Sequence, residues 1–209
     1  MIDFLREAKM FERRMSLHYM TLHAIVFGIE AVRTLEFGAG MSTRVFWDAH
    51  AEMSLGGLHV SISTDPAQKI VKEYFGAAPI CSPHVAWVHH EGRSDAVRET
   101  AFRQGPFDVV LHDGSHSRQT VYDDLTAAIP HIRNGGMLLV HDALHSYSGS
   151  DMRAALRDVF LLFGAQLKDV TLPFGFGLTL IRVSSFNARN IQITRSKVGS
   201  PHLTEPFAI

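Results

Sequence analysis

Apolar residues fall along this chain in two alternating rhythms. Between Asp3 and Arg14 the spacing is helical (Phe4, Leu5, Ala8, Phe11, then Met15). Ser16 is placed to cap a second helix running to about Glu30, with Leu17, Met20, His23, Ala24 and Phe27 on one face. From Ala31 the rhythm changes. Short apolar runs predict strands at Ala31–Phe37, Leu58–Thr64, His84–His90, Phe107–His112 and Met137–His141. Helical spacing returns between and after them, at Ser42–Met53, Ala67–Phe75, Ser94–Gln104, Thr120–Ile132 and Asp151–Phe163. Asn134-Gly135-Gly136 reads as a helix stop, and Val170–Pro173 with Phe176–Val183 as a closing pair of strands.

Strand and helix in regular alternation, with continuously apolar strands, predict an α/β fold: a doubly wound, mostly parallel sheet covered by helices on both faces, in three layers. In such sheets the ligand crevice lies beyond the carboxyl ends of the strands. Each chemically suggestive cluster of this sequence falls just after a predicted strand.

Composition narrows the class. With 209 residues, 46% apolar and 20% charged, the chain suits one domain with a substantial core. A formal charge of -1 carries no field for nucleic acid or an anionic membrane. The longest apolar stretch, around Leu22–Val32, is interrupted by His23 and Glu30 and is too short to span a bilayer. The N-terminus has no apolar core of a signal peptide. One cysteine, Cys81, permits no internal disulfide, which reads as a reducing, cytoplasmic setting. Histidine is the oddity, at 13 residues.

Gly38-Ala39-Gly40 follows the first strand and opens a helix with Ser42 and Thr43. This is where backbone must approach a nucleotide-like ligand, although an ordinary tight turn also uses glycine. A dinucleotide fingerprint needs a third glycine where Thr43 stands, so the NAD-dependent oxidoreductase pattern fails there. Glu36 beside the loop would repel a pyrophosphate and suit an amine-bearing ligand. Asp65, after the second strand, is placed either to accept ribose hydroxyls or to cap the following helix.

His112-Asp113-Gly114-Ser115-His116 follows the fourth strand and His141-Asp142 the fifth. If those strands are neighbours, both loops meet in one crevice. Buried acids and histidines held together need pairing, protonation or a metal, so such clusters lean toward function. The alternative is that both aspartates cap turns and His141 is a satisfied core residue. His116 is the candidate general base and His145 a second.

LEFGAGMST, Asp65, FDVVLHDG and NGGMLLVHD, taken in order, resemble class I S-adenosylmethionine-dependent methyltransferases over about Leu17 to Val183. DGSHSRQTVYDDL and NGGMLLVHD resemble the branch acting on glycosides and small secondary metabolites. The resemblance implies a Rossmann-like seven-stranded sheet with an antiparallel last strand. With the N-terminal helices read from spacing at 3–30, the expected domain runs over 1–183, and 184–209 departs from the family core as an extension. The resemblance places Glu36, Gly38, Ala39, Gly40 and Ser42 at the amino-acid part of S-adenosylmethionine, Asp65 at the ribose, and Gly92 and Ser94 near the adenine. It puts Asp113 at the meeting of cofactor, base and metal. A divalent metal would be held by Asp113, His141 and Asp142. With a histidine in the set, Mn²⁺, Fe²⁺ or Zn²⁺ suits it better than Mg²⁺.

The expected activity is O-methylation of a small-molecule acceptor. A cofactor-binding module without catalysis is the reading against it, and the presence of Asp113 and His116 counts for the enzyme. Asp123-Asp124 reads as a solvated helix face, with a structural role open to Asp124, and Ala143–Ser150 as a loop beside the acceptor. The extension is either an ordinary tail or an arm that joins a homodimer.

Overall fold

The computed structural model describes residues 13–53, 55–76, 82–145, 151–173 and 175–184, with side chains from residue 17 onward. The predicted helix at Asp3–Arg14 falls almost wholly outside these residues, as do Cys81, the end of the Ala143–Ser150 loop and the extension beyond Ser184. The described elements are α1 (Arg13–Gly28), β1 (Arg33–Phe37), α2 (Met41–Met53), β2 (Gly57–Ser63), α3 (Ala67–Ile70), β3 (Val85–Glu91), α4 (Asp95–Phe102), β4 (Phe107–His112), α5 (Arg118–Ala128), β5 (Ile132–His141), α6 (Met152–Phe163), β6 (Leu167–Leu172) and β7 (Leu178–Val183).

The strands form one seven-stranded sheet in the order β3-β2-β1-β4-β5-β7-β6. The pairs from β3 across to β5 are parallel, and β7 runs antiparallel to both β5 and β6. The order reverses beside β1, where β1 pairs with β4 rather than with its successor. That is the switch point where a doubly wound sheet opens a crevice.

Side-chain alternation along β1, β4 and β5 splits the core into two layers. Leu35, Phe37, Val110, Leu138 and Val140 pack with Val121 and Leu125 of α5 and Met152, Ala155 and Val159 of α6. Val109, Leu111 and Leu139 pack on the other face with Tyr19, Leu22 and Val26 of α1 and Val45, Phe46 and Ala49 of α2. All of these side chains are buried, as the core of a three-layer domain requires.

Three expectations are corrected. The buried face of α1 is His18, Tyr19, Leu22 and Val26, whereas Leu17, Met20 and Phe27 are 42%, 46% and 48% exposed. Helical spacing allowed either stripe. The polar one went inward because its polar atoms find partners in the core. The helix after β4 stops at Ala128, with a short turn at Ile129–His131, and β5 begins at Ile132. Asn134-Gly135-Gly136 therefore lies inside a strand. Gly135 has φ +80°, and a Cβ on Gly136 would sit 2.9 Å from the Asp108 carbonyl, so the pair lets β5 start against an irregular stretch of β4. Finally, α3 passes at Val71 into a wider π turn that runs to Phe75.

Candidate active site

Gly38 closes the end of β1. Its φ is +87°, and a Cβ there would lie 2.3 Å from the carbonyl oxygen of Asp113. Glycine is thus demanded twice, by a left-handed backbone and by the loop after β4 pressed against it. Gly38 N–H donates to the Ile62 carbonyl at 2.8 Å and Asp113 N–H to that of Phe37 at 2.9 Å, which joins the ends of β1, β2 and β4. At Gly40 a Cβ would meet only the Tyr74 hydroxyl, at 3.7 Å. That glycine leaves space rather than relieving strain. An open cleft of about 300 Å³ lies here, lined by Tyr19, Gly38, Ala39, Gly40, Met41, Ser42, Tyr74 and Asp113. A second, with room for little more than a water, opens on the far side of Gly38 between Ile62, Ser63, Arg93, Arg98, Ser115 and Asp124.

Glu36 does not line either cleft. It is fully buried and accepts hydrogen bonds from the Ser42 hydroxyl at 2.6 Å, from the Thr43 hydroxyl, and from His59 Nε2 at 3.0 Å. Thr43 Oγ1 also accepts the Gly40 N–H at 3.0 Å. The carboxylate and the Ser42 hydroxyl expected on the cofactor are therefore spent on holding the loop. Behind them Thr34 Oγ1 lies 2.9 Å from His59 Nδ1 and 3.0 Å from His50 Nε2. Burial, with His59 nearby, pulls the His50 pKa down to about 4.

Asp65 keeps its carboxylate near the surface, 3.0 Å from Lys69 Nζ, and it does not cap α3. Ser94 caps α4 by accepting from Val97 N–H, and Arg93 rather than Ser94 faces the second cleft. Gly92 has φ +112° and donates to the Ser63 carbonyl at 2.8 Å. Asp124 takes the structural role rather than the solvated one: it is buried and bonds Arg98 at 2.6 Å and His112 at 3.3 Å.

The two acidic loops converge as the strand order requires. His141 Nδ1 lies 3.0 Å from Asp113 Oδ1 and 3.1 Å from Asp142 Oδ1, and Asp142 Oδ2 lies 3.2 Å from His116 Nε2. The His145 ring sits 5.5 Å from that of His116 and packs edge-on against Phe176. Burial works against charge on His141, but the Asp113 and Asp142 carboxylates overcome it and push its pKa up to about 10. Burial alone would raise Asp142, yet His141, with His116 and His145, holds its carboxyl below the usual range. Asp142 adopts φ +54°, a left-handed conformation that costs a non-glycine residue roughly 1 kcal/mol or more.

Two residues of this cluster were not expected from the sequence. His18 Nδ1 meets His141 Nε2 at 2.6 Å, and Tyr19 lines the cleft next to Asp113. Burial, then the Asp113 carboxylate, raises the Tyr19 pKa, so its hydroxyl stays protonated. Both sit on the face of α1 that periodicity assigned to solvent.

Among the described residues no three His, Cys, Asp or Glu side chains stand as a ready coordination sphere. The donor chemistry nonetheless fits a divalent cation. Among the described residues His141 Nδ1 and Asp142 Oδ1 are buried without a hydrogen-bond partner, because their contact is close but poorly aligned. Separations of 3.0 and 3.1 Å match the ~3 Å edge between ligands set ~2.1 Å from one ion at right angles. In the arrangement described, a proton on His141 supplies the positive charge.

A chain of the tomaymycin-pathway O-methyltransferase from Streptomyces achromogenes, solved with SAM, shares this fold with TM-score 0.60 and 21% identity, over 81% of this chain and 80% of that one. The MycE methyltransferase of mycinamycin biosynthesis, solved with Mg and SAH, aligns with TM-score 0.53 and 17% identity over 80% of this chain and 49% of its own. In sequence, demethylmacrocin O-methyltransferase of Streptomyces fradiae is 43% identical over 49 residues, 23% of this chain and 12% of the relative. Mycinamicin VI 2''-O-methyltransferase of Micromonospora griseorubida is 29% identical over 124 residues, 56% of this chain and 29% of the relative. The matched stretches thus span less than a third of these relatives' own length. Residues 35–143, just over half of the chain and including the glycine loop and both acidic loops, match the methyltransferase domain model, and the chain belongs to that family.

Proposed function

We propose that this protein is an S-adenosylmethionine-dependent O-methyltransferase acting on a hydroxyl of a small molecule, a glycoside or other secondary metabolite. The observation that carries the reading is the His116–Asp142 contact of 3.2 Å, joined through His141 to Asp113, which lines the glycine-loop cleft. The O-methyltransferase names of the relatives support a hydroxyl acceptor.

S-adenosylmethionine supplies, when bound, a methyl group already activated on a sulfonium. The chain's residues align the acceptor and remove its proton. As the C–O bond forms and the C–S bond breaks, His116 takes the hydroxyl proton and later releases it to solvent, to which its side chain is 37% exposed. Asp142 orients the ring and stabilises the imidazolium. Asp113, His141 and Asp142 would hold a divalent cation, which supplies acidification of the acceptor hydroxyl. Gly38, Ala39 and Gly40 offer backbone to the amino-acid part of the cofactor, and Asp65 its carboxylate to the ribose. Gly92 and Ser94 border the adenine side.

The same reading takes 1–183 as one methyltransferase domain and 184–209 as an extension through which a homodimer could form. It places the enzyme in the cytoplasm, with neither nucleic acid nor membrane as a partner. Among the described residues no helix is long and apolar enough to cross a membrane. The test is calorimetric titration with S-adenosylmethionine and with NAD, followed by turnover on glycoside acceptors. Binding of the first alone is expected, and His116→Asn should lower turnover by ~10²–10⁴-fold with cofactor affinity unchanged. Binding of NAD alone, or full activity in the variant, would overturn the assignment.

A further inference from the structure

Asp65 is held by its backbone rather than by its side chain. Its N–H donates to Ser63 Oγ at 3.2 Å, and its carbonyl oxygen lies 2.9 Å from His89 Nε2. His89 Nδ1 lies 2.8 Å from Ser61 Oγ, and Ser61 Oγ accepts the Trp87 indole N–H at 2.9 Å. The ends of the line fix two directions. An indole nitrogen only donates and a carbonyl oxygen only accepts, so Trp87 gives its proton to Ser61 and Nε2 carries the proton given to Asp65. Ser61 Oγ and Nδ1 share the hydrogen bond between them.

The line runs across β2 and β3 to the one loop that presents Asp65. Its far end is braced from the other side, because Trp87 stacks on Phe75, at the end of the helical segment that Asp65 precedes, with ring centres 6.1 Å apart. Among the described residues the Asp65 carboxylate itself is bonded to the exposed Lys69 alone, so a fixed backbone is what would give it a fixed direction.

We infer that His89 is a positioning residue for the cofactor: through the Asp65 carbonyl it sets the aim of the Asp65 carboxylate at the two ribose hydroxyls of an adenosyl ligand. This rests on the S-adenosylmethionine reading above. His89 touches no ligand itself. Its contribution is felt only by a ligand that carries those hydroxyls.

The test is calorimetric titration of wild type, His89→Ala and His89→Gln with S-adenosylhomocysteine and with its 2',3'-dideoxy analogue. Thermal unfolding of each variant verifies that it is folded. His89→Ala is expected to weaken S-adenosylhomocysteine by about tenfold, and Gln, whose amide still donates, to restore most of it. For the dideoxy analogue, wild type and His89→Ala should bind alike. Equal weakening of both ligands would make His89 a general structural residue and overturn the inference, as would unchanged affinity for S-adenosylhomocysteine in His89→Ala. Failure of wild type to bind S-adenosylhomocysteine at all would instead remove the cofactor reading on which the inference stands.

Discussion

Two groups of acids and histidines lie within about one strand of each other in this fold, and they differ in what their atoms lack. Beneath the glycine loop, Glu36 has its two oxygens taken by Ser42, Thr43 and His59 and no exposure to solvent. At the ends of β4 and β5, Asp113, His141 and Asp142 stand close, yet among the described residues His141 Nδ1 and Asp142 Oδ1 have no hydrogen-bond partner, and Asp142 sits in a left-handed backbone. A buried network with its polar atoms satisfied makes one structure rigid. A cluster held together by charge with atoms left over is a place built for something to arrive. Proximity to a glycine loop did not distinguish these cases, whereas hydrogen-bond satisfaction does.

The hardest way to break that contrast is to exchange the roles. Glu36→Ala strands two buried hydroxyls and His59, and should cost about 3–5 kcal/mol in denaturant unfolding. Asp142→Asn leaves Asp113 to balance His141, keeps an acceptor oxygen beside His116 and places in the left-handed region a residue that tolerates it, so stability should fall by about 1–2 kcal/mol, less than in Glu36→Ala. Methyl transfer, in contrast, should fall about 10²-fold as His116 loses its orienting charge. If Asp142→Asn unfolds the protein as readily as Glu36→Ala does, the crevice is scaffolding too.

The satisfied network has one loose end, and pH reads it. Among the described residues His50 Nδ1 has no hydrogen-bond partner, and it is pressed against Gly57, where a Cβ would come within 2.3 Å. Its folded pKa of about 4 lies below the ordinary imidazole value of 6.5 that it keeps in the unfolded chain. The unfolded chain therefore binds the proton first. Stability from this group is present above pH 6.5 and is lost as pH falls from 6.5 through 4. The loss is on the order of 3 kcal/mol, and the difference between wild type and His50→Gln across that window isolates it. A flat difference would mean that His50 can be protonated where it stands.

Much of this was legible in the sequence, for identifiable reasons. β4 falls where its apolar run predicts it, Phe107–His112, because a strand buried on both faces leaves little doubt about its period. The meeting of Asp113 with His141 and Asp142 followed from placing both loops after neighbouring strands. What was not legible depended on partners far along the chain. His18 faces inward because His141, 123 residues away, takes its Nδ1. Glu36 faces inward because β2 brings His59 alongside it, and no local pattern marks that histidine as a partner. Gly135-Gly136 misled because two glycines after a helix also serve a strand that must begin beside a crowded neighbour.

The smallest expected effect bears on the cluster alone. At about pH 7.5 His141, with a pKa of about 10, carries a proton on the nitrogen that faces both carboxylates. A divalent cation taken by Asp113, His141 and Asp142 must displace that proton, because only neutral imidazole ligates. Titration with Mn²⁺ in buffers of differing ionisation enthalpy should thus report about one proton released per ion bound. Asp113→Asn removes one of the carboxylates that raise His141, so both the release and the affinity should fall. Release of no proton would put the ion elsewhere. Absence of binding would leave the charged His141 as the cluster's own cation, and the unpartnered atoms of Asp142 and His141 would then await the acceptor rather than a metal.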